Sequence, residues 1–275
     1  MNNIVKTATS KNGKYRINVM YDECPMCPCT EWDMVGAFLF EYRDSSTLHQ
    51  ECNWREVYGK YGDNRHSLED ALRKLISDYV STKDIVKFIQ KGYIKDWRMR
   101  YDASDHLWYL ENYTCGNWYK HEEFEPSDLK NFDYTYELTE FMEKDDLVLI
   151  LQDYGKDIVV SEFSLTGYCQ GDYIEGVAFC DKERFTKMCD KDTKNWKKRA
   201  EDCIEGDVEC VNRWMWGDVY GYTLEERRDF TKTYEDGTTE EDCEWIEKDS
   251  CWGYFCEPDE VIKENLPEDD LGMVG

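Results

Sequence analysis

The sequence predicts a fold of the α+β class, in which an antiparallel-rich sheet has helices packed on one face. Three observations predict it. Residues 13–21 alternate polar and apolar side chains in the manner of a strand. Residues 68–80 place apolar side chains at helical spacing. Two aromatic and glycine-rich segments near the C-terminus, 214–224 and 249–256, are predicted strands that flank a turn at an Asp-Gly dipeptide.

The first part of the chain is predicted to form two strands and two helices. A loop rich in cysteine and proline follows the alternating strand, and residues 31–42 form a second, buried strand. Ser67 is a predicted N-cap, because a serine hydroxyl can accept a hydrogen bond from an unpaired N–H at a helix start. The helix over 68–80 follows it, and a shorter helix covers 84–90 before a glycine stop signal.

The middle of the chain mixes strands and helices. The predicted elements are two or three short strands within 93–125, a helical stretch over about 126–144, a hairpin of strands 147–155 and 157–165, a strand at 171–181, and one long helix or a helix pair over 182–210. No internal repeat and no low-complexity linker divides the sequence. We therefore expect a single α+β domain over residues 1–275.

The composition indicates a folded protein without a membrane span. Of its 275 residues, 20 are Tyr, 11 are Phe and 10 are Trp, whereas disordered chains are poor in aromatic residues. No apolar run reaches the roughly 18 residues that a membrane helix needs, and the N-terminal segment lacks the apolar core of a signal peptide. We therefore expect a soluble protein that stays in the cytoplasm.

The net charge of −26 is concentrated toward the C-terminus. Residues 1–100 hold 16 Lys and Arg against 14 Asp and Glu, residues 101–200 hold 12 against 22, and residues 201–275 hold 6 against 24. Such a field repels nucleic acid, so direct DNA or RNA binding is not expected. Two interpretations stay open: an acidic surface that only keeps the protein in solution, or carboxylates that imitate a phosphate backbone inside another protein's nucleic-acid channel.

Thirteen cysteines raise the question of metal binding. Because no export signal is present, most are expected to be free thiols in a reducing compartment. The best metal candidate is Cys24-x2-Cys27, since a CxxC pair can bring two thiolates to one zinc ion, with a second half-site at His49-x2-Cys52. These four residues predict one structural zinc, although Cys29 is left over. The alternative is no cofactor, with free cysteines at these positions.

No catalytic residue is predicted. A cysteine nucleophile needs a histidine partner, and all four histidines precede residue 122. The sequence contains no Walker lysine, GxSxG or HExxH motif. Asp218 and Asp249 could meet as a carboxylate pair for acid–base chemistry, but carboxylates that bond backbone N–H groups at strand ends are the simpler interpretation.

The aromatic side chains of the two C-terminal segments predict either core packing or a patch that binds a partner. Strand alternation would place Trp214 and Trp216 on one side. Trp and Tyr dominate interface hot spots, and the neighbouring acidic run would suit a basic protein. The candidate partner-binding residues are Trp216, Asp218, Tyr220, Tyr222, Glu240, Glu241, Asp242, Glu244 and Trp252.

Four segments occur in an order that is familiar from one family: EWDMVGAFLF (31–40), SLTGYCQGDYIEGVAFCDKERF (164–185), WGDVYGYTL (216–224) and DSCWGYFC (249–256). The chain resembles a family of uncharacterised proteins from bacteriophages and other mobile elements, which carry WDNLG, GQVGYIYV, TGDVYGY and DSCWGFYG motifs. It departs from them at Met34-Val35 and at Cys256, where the family has Asn-Leu and Gly. Because members of the family are shorter, residues 83–145 are expected to be an insertion or subdomain.

The resemblance implies a setting and no established reaction. It implies the accessory gene of a mobile element, expressed in the cytoplasm of a bacterial host, where acidic proteins often counter host defences. The first hypothesis is therefore a non-catalytic anti-restriction or anti-CRISPR-like factor that mimics DNA and binds a basic nucleic-acid-binding surface of a host protein. The alternatives are an enzyme with a carboxylate or thiol site near Asp218 and Cys251, and a zinc-stabilised structural module.

Overall fold

The computed structural model describes residues 3–40, 67–131, 134–167, 173–189 and 194–267. In chain order its elements are β1 (Ile4–Thr9), β2 (Tyr15–Tyr21), α1 (Pro28–Glu31), β3 (Ala37–Phe40), α2 (Leu68–Tyr79), α3 (Thr82–Gln90), β4 (Trp97–Asp102), β5 (Leu107–Thr114), β6 (Asn117–Phe124), α4 (Asp128–Asn131), α5 (Thr135–Thr139), α6 (Lys144–Tyr154), β7 (Ile158–Thr166), β8 (Tyr173–Asp181), α7 (Lys182–Met188), α8 (Trp196–Trp216), β9 (Tyr220–Thr233), β10 (Thr239–Tyr254) and α9 (Pro258–Asn265). The predicted α+β class is confirmed, and the described strands form three antiparallel sheets.

The chain divides into two compact units. Unit 1 consists of Met1–Pro28 together with Cys210–Gly275, and unit 2 of Cys29–Glu209. The predicted insertion at 83–145 lies within unit 2, and the division between the units falls inside α8. The organisation as a single domain stays a prediction.

Unit 1 contains a four-stranded antiparallel sheet in the order β1-β2-β9-β10. The predicted alternation in β2 is confirmed for Ile17 and Val19, which are fully buried. They pack with Tyr220 and Tyr222 of β9 and with apolar residues of α9, including Val261. Each such aliphatic side chain contributes about 1.5–3 kcal/mol on burial, so this core holds α9 against one face of the sheet.

Unit 2 contains two three-stranded antiparallel sheets, β3-β8-β7 and β4-β5-β6. The three strands of the second sheet confirm the prediction for 93–125. Helix α2 begins as predicted at Ser67, whose Oγ accepts from the Asp70 N–H at 3.2 Å. Its apolar stripe, including Leu72 and Leu75, is fully buried in a core shared with α3, α6 and both sheets. The predicted strand over 31–42 begins only at Ala37, and residues 41–42 lie outside the described residues.

The prediction of a strand at 147–155 was wrong, because these residues belong to α6. Leu147, Val148, Ile150 and Leu151 are buried whereas Leu149 is exposed, which is the spacing of a helix that buries one face. The backbone N–H of Glu143 donates to Asp146 Oδ2 at 3.3 Å and satisfies one of the unpaired donors at the helix start. The predicted strand after it is confirmed as β7, which pairs with β8 instead.

The predicted helix or helix pair over 182–210 is a pair, α7 and α8. Helix α8 continues to Trp216, so the prediction that Trp214 and Trp216 lie in a strand was wrong. The helix ends at Gly217, whose φ of +75° gives the left-handed conformation that closes many helices. Among the described residues, no helix combines the length and apolar character that a membrane crossing requires.

Candidate binding surface on the β9–β10 hairpin

The β9–β10 hairpin is longer than the sequence predicted. Its strands have 14 and 16 residues and pair without interruption from Thr233↔Thr239 to Glu225↔Glu247. The predicted turn is confirmed: Gly237 has a φ of +85°, and Asp236 Oδ1 accepts from the Thr238 N–H at 2.9 Å. The hairpin therefore forms a regular arm with a well-formed tip.

The outer part of this hairpin projects beyond the neighbouring strand. Pairing between β2 and β9 ends at Tyr15↔Glu226, followed by one hydrogen bond from the Arg227 N–H to Lys14 O. We call residues 228–244 the ribbon. Six rises of about 3.4 Å make it roughly 20 Å long. Its residues are exposed except Phe230 and Asp242, which are half-buried.

The ribbon carries seven carboxylates against two basic side chains. Alternation along β10 places Glu240, Asp242 and Glu244 on one face and Glu241 on the other. Four carboxylates therefore lie within roughly 14 Å of strand, which is about one charge per 3.4 Å and equals the density along one strand of DNA. The four acidic residues singled out in the sequence within 240–244 lie along one strand and are divided between its two faces.

Part of this charge is paired inside the ribbon. Lys232 Nζ binds Asp242, and Arg228 Nη1 lies 3.9 Å from Glu244 Oε1. The Lys232 ammonium and then the Cys243 N–H hold the pKa of Asp242 below its ordinary value, so this carboxylate is ionised at neutral pH. Ion pairs between solvent-accessible side chains contribute little to stability, so a cation of another protein can replace Lys232 or Arg228 at small cost.

The outer face of the unit 1 sheet, opposite α9, carries a polar network across its strands. Thr7 Oγ1 donates to Asn18 Oδ1 at 2.9 Å, and Asn18 Nδ2 donates to Glu225 Oε2 at 2.8 Å. Arg16 Nε donates to the same Glu225 oxygen at 2.7 Å, and its guanidinium lies 4.5 Å from the ring centroid of Trp245. These side chains fix Arg16 in a cation–π contact on the sheet surface.

Trp252 lies on the same outer face, directly over the backbone of Gly221. The two residues are register partners in β9 and β10. A Cβ added to Gly221 would lie 2.0 Å from Trp252 Cε3 and 2.4 Å from Cδ2, so only glycine leaves room for the indole. Trp252 is 48% exposed whereas Gly221 is buried beneath it. One side of the ring system is therefore covered and the other faces solvent.

The remaining predicted partner-binding residues have different environments. Trp216 is 45% exposed at the end of α8, and Asp218 is half-buried just after it. Tyr220 and Tyr222 are only 6% and 4% exposed, because they face α9 in the core of unit 1. Tyr220 and Tyr222 are therefore core residues and are not available to a partner in this structure.

The predicted carboxylate pair is not formed. Asp249 is opposite Leu224 in the hairpin, whereas Asp218 precedes β9, so the stretch from Tyr220 to Leu224, roughly 14 Å of strand, lies between the two. Asp249 Oδ2 accepts from the Tyr222 hydroxyl at 2.7 Å and its Oδ1 from the Ser250 N–H at 3.0 Å. Burial and then this carboxylate raise the pKa of Tyr222. The contacts of Asp249 therefore agree with the interpretation of this residue as a carboxylate that bonds the nearby backbone.

The predicted zinc ligands are only partly described. Cys24 is exposed and Cys27 is buried, and the loop that carries them is held by a hydrogen bond from Trp214 Nε1 to Pro25 O at 3.1 Å. His49 and Cys52 lie outside the described residues. Within the described part of the chain, no three His, Cys, Asp or Glu side chains are grouped to hold an ion. The zinc site stays a prediction.

In unit 2, two of the segments singled out in the sequence meet around residues 34–36. Arg184 Nε and Nη2 donate to Val35 O at 2.7 Å and Met34 O at 2.6 Å. Asp207 Oδ2 accepts from the Gly36 N–H at 2.7 Å. Burial raises the pKa of Asp207, against the lowering effect of hydrogen bonds from Gly36 and Val35. Arg184 and Asp207 therefore hold the backbone of residues 34–36, which lead directly into β3.

Sequence reasoning missed the Gly221–Trp252 contact and the Arg16–Trp245–Glu225 group. Both depend on the register between β9, β10 and β2, which no local pattern specifies. The glycine between two tyrosines in YGY was a usable signal, because such a glycine in a strand often marks a close approach.

Comparison of the chain with protein-family models, with curated proteins and with solved structures finds no match.

Proposed function

We propose that this chain is a non-catalytic acidic binding protein whose ribbon competes with DNA for a basic surface of a nucleic-acid-handling host protein. The observation that carries the proposal is the array of exposed carboxylates on an arm that extends beyond its sheet. Glu240, Glu241, Asp242 and Glu244 match the linear charge density of a DNA strand.

Electrostatics favours a cationic partner. A negative field steers a basic protein toward the ribbon and raises the association rate, and it repels nucleic acid itself. The Lys232 and Arg228 pairs within the ribbon can be exchanged for cations of the partner. We therefore expect binding that weakens as the salt concentration rises.

The resemblance to proteins of bacteriophages and mobile elements supports a specific setting. In that setting the partner is a bacterial defence enzyme, and the protein is an anti-restriction or anti-CRISPR-like factor in the host cytoplasm. The segments that carry the resemblance include WGDVYGYTL and DSCWGYFC, whose residues 220–224 and 249–254 form the base of the hairpin in unit 1.

The test is a pull-down from nuclease-treated bacterial lysate, with elution by a salt gradient. The ribbon variant carries Glu240→Gln, Glu241→Gln, Asp242→Asn and Glu244→Gln. A control variant of equal net charge neutralises four exposed carboxylates of unit 2, through Glu122→Gln, Glu201→Gln, Asp202→Asn and Glu205→Gln. We expect the wild type and the control to retain a DNA-handling protein that the ribbon variant loses.

Two results would contradict the proposal. Equal retention by the ribbon variant and the wild type would show that the ribbon is not the contact. Retention that duplex DNA does not displace would show that the protein does not compete for a nucleic-acid surface.

A further inference from the structure

We infer that Trp252 is a stacking platform for an arginine side chain of the cationic partner. The inference rests on the proposed function, because it names the chemistry by which the same hairpin recognises a basic protein. It adds a second contact on the outer face of unit 1, near the base of the hairpin and away from the carboxylates of the ribbon.

The geometry of the platform comes from Gly221. Because this glycine has no side chain, the Trp252 indole rests on the backbone of β9, where a Cβ would lie 2.0 Å from Cε3. The contact covers one side of the indole and restricts its movement over β9. The other side faces solvent, and a ligand that stacks there meets a ring whose freedom is already restricted, which lowers the entropic cost of binding.

The chemistry of the indole selects a flat cation. The face of an aromatic ring carries negative charge density, and Trp binds cations best among the aromatic side chains. Guanidinium is planar and weakly hydrated, so it stacks more readily than an ammonium group. The same outer face already contains one such pair, in which Arg16 lies 4.5 Å from the Trp245 centroid while bonding Glu225 at 2.7 Å.

Charge complementarity decides the occupant. Unit 1 contains 21 acidic residues against ten basic ones, so its field favours a cationic ligand over a phosphate-bearing one such as a nucleotide. Ser250 and Glu247 lie on the same face of β10, between Trp252 and Trp245, and both are exposed. Their oxygens can accept from the N–H groups of a guanidinium that stacks on Trp252.

The experiment uses the whole chain with synthetic hexa-arginine and hexalysine peptides as probes, measured by calorimetry at low and moderate salt. The indole N–H signals are followed by NMR in the same titrations. The variants are Trp252→Ala and Trp252→Phe, and the control is Trp32→Ala, which removes a tryptophan of unit 2 that is 43% exposed. The ribbon variant is titrated in parallel, and circular dichroism checks the fold of each protein.

We expect Trp252→Ala to weaken hexa-arginine binding by roughly 2- to 30-fold, Trp252→Phe to weaken it less, and Trp32→Ala to leave it unchanged. The loss should be smaller for hexalysine, and in the wild type the Trp252 N–H signal should shift on titration. If Trp252→Ala is unfolded, the wild-type NMR shift and Trp252→Phe still decide the question.

Three outcomes would overturn the inference. Unchanged hexa-arginine binding in Trp252→Ala, with binding lost in the ribbon variant, refutes the platform and leaves the proposed function standing. Binding of neither peptide to the wild type contradicts both. A Trp252 N–H signal that shifts with a neutral sugar or a nucleoside but not with hexa-arginine shows that the platform takes a different ligand.

Discussion

Gly221 lies beneath an indole that leaves no room for a side chain. This single contact joins the two aromatic and glycine-rich segments, because Trp252 of β10 covers the glycine of β9. The covered glycine explains why a large aromatic residue can pack directly against the backbone of an antiparallel sheet. The packing of the hairpin and the proposed binding platform therefore depend on the same atoms.

We predict that Gly221→Ala lowers the free energy of unfolding by about 1–3 kcal/mol, because the added methyl group forces the Trp252 ring away from the strand. Chemical denaturation followed by tryptophan fluorescence measures the change. The control is Gly206→Ala in α8, where a Cβ would meet no atom within 4 Å, and it should be neutral or stabilising. Equal effects of the two substitutions would contradict the packing argument.

A second prediction concerns Asp207, whose pKa is raised by burial. A carboxyl with a raised pKa in the folded state favours folding below its unfolded pKa of about 3.9, and that contribution is lost as the pH rises through the folded pKa. Asp207→Asn removes this titration. The free energy of unfolding of Asp207→Asn relative to the wild type should therefore increase between pH 3 and pH 7.

Denaturation of both proteins at several pH values provides the measurement. The Asn side chain keeps an acceptor for the Gly36 N–H, so the hydrogen bond to β3 is retained in part. A difference between the two proteins that does not depend on pH would show that Asp207 has an ordinary pKa in the folded state.

Among the secondary-structure elements, α6 and the hairpin show where sequence patterns succeed and fail. The cap at Ser67 and the stripe of α2 were predictable, because both depend on neighbours within one or two turns. The apolar run in α6 was ambiguous, since a short run can be a buried strand or one face of a helix. The structure resolves this ambiguity, because the Glu143 N–H donates a hydrogen bond to Asp146 at the start of the helix.

The hairpin was predicted with the correct turn but with strands that were too short. Its outer residues are polar on both faces, so no alternation of apolar side chains marks them as strand. In this part of the hairpin the side chains form cross-strand pairs, such as Lys232 with Asp242, and they do not pack into a core. The acidic residues of the candidate site were predicted from composition, whereas their arrangement on two faces depended on the register.

We predict that the ribbon can be removed without loss of the fold. Replacing residues 229–243 with Asn-Gly joins Arg228 to Glu244 through a two-residue turn that suits an antiparallel hairpin. Because the core of unit 1 lies at the other end of β9, the free energy of unfolding should change by no more than about 1 kcal/mol. Partner capture from lysate should be lost.

Denaturation and the pull-down together check this prediction. A shortened protein that unfolds in dilute buffer would show that the ribbon contributes to folding. A shortened protein that is folded and still captures the partner would move the binding site elsewhere on the molecule.

For the molecule as a whole, the distribution of charge is the basis for the proposed cationic partner. Of the net charge of −26, residues 201–275 contribute 6 basic against 24 acidic side chains, and the ribbon lies within this segment. The charge and the fold class were predictable from the sequence alone. The division into two units was not, because it depends on contacts between Met1–Pro28 and the C-terminal residues, which are distant in sequence.

The most direct test of the central claim is competition at equilibrium between this protein and duplex DNA for the captured partner. Labelled duplex is bound to the partner, and its displacement is followed by fluorescence anisotropy as wild type, ribbon variant or control variant is added. We expect the wild type and the control variant to displace the duplex fully. The ribbon variant should need at least a tenfold higher concentration for the same displacement, which corresponds to a loss of about 1.4 kcal/mol of binding free energy. A ternary complex of partner, duplex and this protein, or equal displacement by all three proteins, would contradict this expectation.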